Sequence, residues 1–182
     1  LKCIGRDKRA SEHILKDGHG PEFPYEAVLS TRNELYLKHI TEGRLNIKPG
    51  VQELLNFLQE ENLPLMVATS TDKETAILKL KQAGILSCFT EVVSGEEVPE
   101  SKPAPHIFLE AAARFSIEPN KCLVFEDSDN GIRAAAAAGM NPIQIPDIVE
   151  PAAETRRLGH LILPSLREAE CYLQNLWKNE TT

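Results

Sequence analysis

The sequence predicts an α/β fold built on a parallel sheet. Three observations carry that prediction. From residue 49 onward, short apolar runs alternate with helix-like segments; each run stops at a polar turn; and the composition supports a sizeable core. The 182 residues are 42% apolar and 26% charged, which suits one compact domain, or a medium domain with a small appendage, and not a disordered chain.

Residues 1 to about 45 stand apart. They read as two helices, roughly Lys8 to Lys16 and Tyr25 to Glu42, separated by Asp17-Gly18-His19-Gly20-Pro21 with no strand between them. A third helix is expected from Pro49, whose fixed φ suits a first helical position, with Val51, Leu54, Leu55 and Leu58 on one face. Pro64 to Ala68 is a short strand that stops at Thr69-Ser70-Thr71. Thr71 and Glu74 match a capping box, and the helix they open buries Ala76, Ile77, Leu80 and Ala83 before Gly84 ends it.

The pattern repeats. Glu91 to Ser94 is a strand, followed by a loop to Pro103 and Pro105 and a helix carrying Ile107, Phe108, Ala111 and Phe115. Lys121 to Phe125 is a further buried strand, running into Glu126-Asp127-Ser128-Asp129-Asn130-Gly131 and then into Ile132 to Ala138. The five alanines there give a helix of small side-chain volume that can lie close against a sheet. Pro142 to Ile145 and Leu161 to Leu163 complete the strands, and Ser165 to Trp177 is a closing helix whose Trp177 is expected to pack on the core.

Charge and cysteine usage narrow the function. Twenty Lys plus Arg against 27 Asp plus Glu give a net charge of -7, the wrong sign for a chain whose main work is holding a polyanionic duplex, so no nucleic-acid partner is expected. Cys3, Cys88, Cys122 and Cys171 form no CxxC or CxxxC pair, which points to a reducing, cytoplasmic setting. No stretch approaches the roughly 18 to 20 consecutive apolar residues of a membrane span. The N-terminus has no secretory pattern, and no membrane partner is expected.

In a parallel sheet, ligands gather where the strands end, because loops converge there and helix N-termini aim unpaired N–H groups outward. After the first strand come the hydroxyls of Thr69, Ser70 and Thr71, suited to a phosphate oxygen or to plain helix capping. Ser101-Lys102-Pro103-Ala104-Pro105 holds one cation in a stiffened loop, able to neutralise a phosphate or simply to meet solvent. Beyond Cys122 to Phe125 lie the adjacent carboxylates Glu126 and Asp127, with Asp129 nearby. Crowded carboxylates repel unless a cation or hydrogen bonds hold them, and such oxygen ligands suit Mg²⁺; the alternative is that Asp127 or Asp129 only caps the alanine helix. The three pieces are separated by 33 residues (69 to 102) and 24 residues (102 to 126). They fall on one expected sheet edge, where one phosphate and one Mg²⁺ fit among them.

Leu65 to Lys73 (LMVATSTDK), Ser101 to Phe108 (SKPAPHIF) and Val124 to Gly139 (VFEDSDNGIRAAAAAG) together resemble the haloacid dehalogenase-like superfamily, in particular its phosphatases and phosphosugar mutases of the β-phosphoglucomutase type. The resemblance runs from about Leu45 to the C-terminus. It implies a Rossmann-like three-layer parallel-sheet core over residues 46–182, with residues 1–45 the remnant of a helical cap. By the same resemblance Thr69 binds the transferring phosphoryl group, Ser70 offers a backbone N–H, Lys102 balances charge, and Glu126 and Asp127 hold Mg²⁺. In the cap, Arg6 is similar to an arginine that meets a substrate's distal phosphate, and Arg32-Asn33 falls near another cap contact.

The family's nucleophile, an aspartate in a D-x-D motif ending the first strand, has no counterpart here. Asp127-Ser128-Asp129 has that form but follows a later strand. The expectation is therefore that several tens of residues, including the first strand, precede Leu1, and that the 182-residue chain by itself is inactive. For the full-length protein the resemblance implies a Mg²⁺-dependent phosphatase of small phosphorylated metabolites, with sugar phosphates favoured. A phosphosugar mutase and a noncatalytic phosphate-binding fragment are the alternatives.

Overall fold

The computed structural model describes residues 8–180 apart from residue 44. The N-terminal segment forms α1 (Lys8–His19) and α2 (Tyr25–Thr41), the two helices expected from the sequence. There follow α3 (Val51–Glu60), β1 (Met66–Thr69), α4 (Lys73–Gln82), β2 (Glu91–Ser94), α5 (His106–Phe115), β3 (Leu123–Glu126) and α6 (Asp129–Ala137). The chain then forms β4 (Asn141–Gln144), α7 (Ala153–Arg156), β5 (Leu161–Ile162) and α8 (Leu166–Glu180). The single-turn α7 carries no periodic signal and was not expected.

All pairings are parallel. β1 lies beside β2 with Thr69 opposite Ser94; β3 lies beside β4 with Glu126 opposite Gln144, and β4 beside β5 with Gln144 opposite Ile162. Among the described residues no ladder joins β1 to β3, so the sheet is in two pieces. Within each piece the register sets the polar residues that follow the apolar runs side by side.

Side chains alternate across β3, as a period of two requires. Val124 joins a cluster with Val93, Ile107, Phe108 and the alanines of α6. Phe125 packs on the opposite side, with Leu54, Leu58 and Leu173 from α3 and α8. Helices thus cover both faces, which gives the three-layer α/β architecture. Val93, Ile107 and Ile132 are at most 1% exposed, each such burial contributing about 1.5–3 kcal/mol. Ala134 and Ala135 are fully buried, as a close-lying helix of small residues demands.

Two helix starts differ from the sequence reading. α3 is capped by Gly50 and not opened by Pro49, because Gly50 takes a left-handed φ of 87° and a Cβ there would come within 2.6 Å of the Arg167 nitrogen in α8. That close approach seats α8 on α3, where Trp177 meets Phe57 edge-on with ring centres 6.1 Å apart. α4 is capped by Asp72 and not by Thr71, for a reason that lies in the turn before it. Cys88, Cys122 and Cys171 are free thiols. Among the described residues no helix is long and apolar enough to cross a membrane.

Candidate active site

β1 ends in a turn closed by its own side chain. The Thr69 hydroxyl accepts a hydrogen bond from the Thr71 N–H at 3.1 Å, leaving its proton available for donation outward. With the Thr71 N–H used in this way, the cap of α4 moves one residue on, where Asp72 Oδ1 accepts from Thr75 N–H at 2.9 Å. Ser70 is exposed at the tip of the turn. Gly95, just past β2, lies behind it, its Cβ position 3.5 Å from the Ser70 Cα, so the ends of β1 and β2 pack directly on each other.

Lys102 reaches across the break in the sheet. Its ammonium donates to the Ala68 carbonyl of β1 at 3.1 Å, pairs with Glu126 at the end of β3, and lies 4.7 Å from the centre of the Phe108 ring. The Lys102 and Glu126 side chains are only 8% and 10% exposed. A charge so withdrawn from water needs a counter-charge and further hydrogen bonds, and Lys102 has both. The Lys102–Pro103 peptide is cis.

Glu126 is held from its other side by Ser128, whose hydroxyl donates to Oε2 at 3.1 Å. The same hydroxyl accepts from the Gly131 N–H at 3.1 Å and so caps α6. Capping by Ser128 displaces the alternative in which Asp127 or Asp129 does that work. Gly131 matters for a second reason: any side chain there would occupy the space of the Glu126 carboxyl. Asp127 is exposed. Its carboxyl is held above the ordinary range, first by lost hydration and then by the charge of Glu126, while Lys48, paired with Asp147 at 2.9 Å, acts in the opposite sense.

Lys102 and Glu126 are in direct contact, and Thr69 and Asp127 are the residues next to the two groups that Lys102 holds, the Ala68 carbonyl and the Glu126 carboxylate. Arg32 and Asn33 lie on α2, exposed and half-buried respectively, and no hydrogen bond joins either to these residues. Arg6 lies outside the described residues. Ser128, Gly131 and Gln144 were not singled out from the sequence. The S-x-x-G spacing after the acidic pair and a lone Gln in an apolar strand are the signals that mark them.

The donor set suits a hard cation of modest protein coordination. Among the described residues no group of three or more His, Cys, Asp or Glu converges, and the Glu126 carboxylate is turned inward to Lys102 and Ser128. What faces outward is Asp127, an exposed carboxylate that forms no ion pair among the described residues. Mg²⁺ is commonly held by one or two carboxylates together with substrate phosphate and water, and these residues fit it on that footing.

The model of the haloacid dehalogenase-like hydrolases matches residues 4–139. The chain belongs to that family. It is 33% identical over 152 residues, 80% of this chain and 66% of the relative, to the protein CbbY of Rhodobacter capsulatus. It is 41% identical over 108 residues, 56% of this chain and 36% of the relative, to (DL)-glycerol-3-phosphatase 1 of Arabidopsis thaliana. The chain thus spans from about a third to about two thirds of the length of these relatives. Among solved structures, a β-phosphoglucomutase from Clostridium difficile superposes with a TM-score of 0.78 at 22% identity, over 98% of this chain and 80% of that one, a likeness of fold.

Proposed function

We propose that the full-length protein is a Mg²⁺-dependent phosphatase of small phosphorylated metabolites, with sugar phosphates the class to test first, working in a reducing cytoplasm. The observation that carries this reading is the Lys102 ammonium, which sits between the Ala68 carbonyl, next to Thr69, and the Glu126 carboxylate, next to Asp127. A phosphoryl group seated there meets a hydroxyl, backbone N–H groups and a fixed positive charge. The relative named as a glycerol-3-phosphatase supports a small phosphate ester as substrate.

On this reading Thr69 donates its hydroxyl proton to a phosphoryl oxygen, held at the correct angle by the bond it accepts from Thr71. Ser70 offers its backbone N–H at the mouth of the turn. Lys102 offsets charge that builds on the phosphoryl oxygens in the transition state, already oriented before substrate arrives. Asp127, with Glu126 behind it, would hold Mg²⁺, which when bound supplies charge neutralisation on the phosphate. The attacking group on this reading is the aspartate of the family's D-x-D motif, which does not end an early strand within these 182 residues. It displaces the alcohol to form an aspartyl phosphate that water then hydrolyses. Arg32, Asn33 and Arg6 belong to the cap side and would meet the substrate's distal part.

The test is turnover of p-nitrophenyl phosphate and a panel of sugar phosphates by the full-length protein, with and without Mg²⁺. Phosphate release that needs Mg²⁺ and is lost in Asp127→Ala and Lys102→Ala is the expected result. Unchanged turnover in either variant would overturn the site. Isomerised sugar phosphate in place of free phosphate would make the protein a mutase using the same rim.

A further inference from the structure

Behind the acidic turn lies a polar network that the phosphatase reading does not use. Gln144, at the end of β4, is wholly buried. Its Nε2 donates to the Asp127 carbonyl at 3.4 Å and to Asp129 Oδ1 at 3.3 Å, and its Oε1 lies 2.8 Å from His160 Nε2. Asp129 Oδ2 accepts from the Ala152 N–H at 3.1 Å, tying in the loop before α7.

The network has one consistent proton arrangement. Two oxygens face the nitrogen of the Gln144 amide, so its oxygen must face His160, and His160 Nε2 must carry the hydrogen. His160 Nδ1 is then a lone pair, buried with no partner among the described residues. A second proton there would be a buried N–H with nothing to meet. Burial lowers the pKa of this imidazole, against the opposing pull of the Asp129 charge. A buried glutamine tied to a half-buried histidine is costly to assemble unless its bonds position something.

We propose that Gln144 and His160 are positioning residues for the acidic turn: His160 fixes the Gln144 amide, and Gln144 fixes the main chain of Asp127 and the side chain of Asp129, setting where the Asp127 carboxylate points. This rests on the reading of Asp127 as a cation ligand. Its mechanical part, the tether itself, stands apart from that reading. Such outer contacts characteristically tune a ligand through orientation and not by touching the metal.

The experiment compares wild type, Gln144→Leu, His160→Leu, the double variant, and His160→Gln, which restores a donor at the place of Nε2. Two quantities are read: amide hydrogen exchange of residues 126–131 relative to α3 and α8, and Mn²⁺ affinity by electron paramagnetic resonance. Both Leu variants should speed exchange in 126–131 selectively and weaken Mn²⁺ about 10-fold. The double variant should be no worse than Gln144→Leu, and His160→Gln should match wild type. Equal exchange in all five proteins, or additive effects in the double variant, would overturn the tether. Mn²⁺ uptake by wild type that the Leu variants leave unchanged would overturn its role in aiming Asp127. Wild-type protein that takes up no Mn²⁺ sinks the cation reading itself, and the link to it falls too, while the exchange comparison decides the tether. If Gln144→Leu does not fold, the His160→Leu and His160→Gln pair at the half-buried end of the network decides it.

Discussion

Lys102 and Glu126 form a nearly buried ion pair that joins the ends of two strands with no backbone ladder between them. The ammonium also holds the Ala68 carbonyl, and the carboxylate also holds Ser128. One contact therefore spans the break in the sheet and fixes the ends of β1 and β3 relative to each other, with the half-buried Thr69 and the exposed Asp127 as the next residues on either side of it.

Removing one partner of this pair leaves the other charge buried alone. Lys102→Met should lower unfolding free energy by roughly 3–5 kcal/mol in urea titration, in addition to abolishing turnover of the full-length enzyme. Replacing both, Lys102→Met with Glu126→Leu, should recover much of the stability and none of the activity. Double-mutant analysis of the urea midpoints checks the pattern.

Asp127 behaves in the opposite way. Its carboxyl is raised by lost hydration and by Glu126, so the folded state binds its proton more tightly than the unfolded state does. That costs stability as pH rises through the ordinary carboxylate range and beyond it. Metal-free Asp127→Asn should therefore be at least as stable as wild type at pH 7, and any gain should disappear in acid. Thermal unfolding with chelator at pH 7 and at pH 3 measures this, while the same variant should lose its Mg²⁺-dependent turnover.

Gly131 is tested by adding a single methyl. In Gly131→Ala the new Cβ falls on the Glu126 carboxyl, which must leave its place between Lys102 and Ser128. The expected cost is about 1–3 kcal/mol, with a fall in activity far larger than such a loss of stability explains. Gly139→Ala meets no atom at its Cβ position, so its cost is confined to backbone strain at a φ of 74° and it should spare the site.

A second charged cluster makes an acid-sensitive contribution to stability. Glu97 accepts from Arg114 at 2.8 Å, from the Ser94 N–H at 2.8 Å and from Lys73 at 3.1 Å, and its carboxyl is pulled down to about 2, first by Arg114. Because the folded value lies below the unfolded one, this stabilisation is complete above the ordinary carboxylate value of 4.5. It is lost as pH falls from there toward about 2. Glu97→Gln should be less stable than wild type at pH 7, by roughly 1.5–3 kcal/mol for the loss of a bond to a charged group. The two should converge near pH 2 in urea titrations across that range.

The residues with a legible role were those placed by strand ends. Thr69 follows an apolar run, Glu126 and Asp127 follow another, and Lys102 precedes Pro-x-Pro, so a period-two reading with turn chemistry was enough to set them at one edge. Gln144 was not legible, because Pro-Ile-Gln-Ile reads as an apolar strand with one polar position. Only its pairing opposite Glu126 turns that position toward Asp127. The shift of the α4 cap from Thr71 to Asp72 was hidden for a related reason: whether Thr71 N–H bonds Thr69 or leaves the turn is decided by the fold of residues 69–71.

By itself the sequence determined the α/β class, the order of the strands and of the longer helices, and which polar residues follow the apolar runs. These follow from periodicity and from residue chemistry at strand ends, which act over a few positions along the chain. The tertiary structure alone decided that Lys102 bridges the two sheet pieces, that Ser128 and not an aspartate caps α6, that Gly131 makes room for Glu126, and that Gln144 and His160 back the acidic turn. Each of those is a contact between segments made neighbours by packing, where burial makes an unpaired polar group costly and so selects its partner.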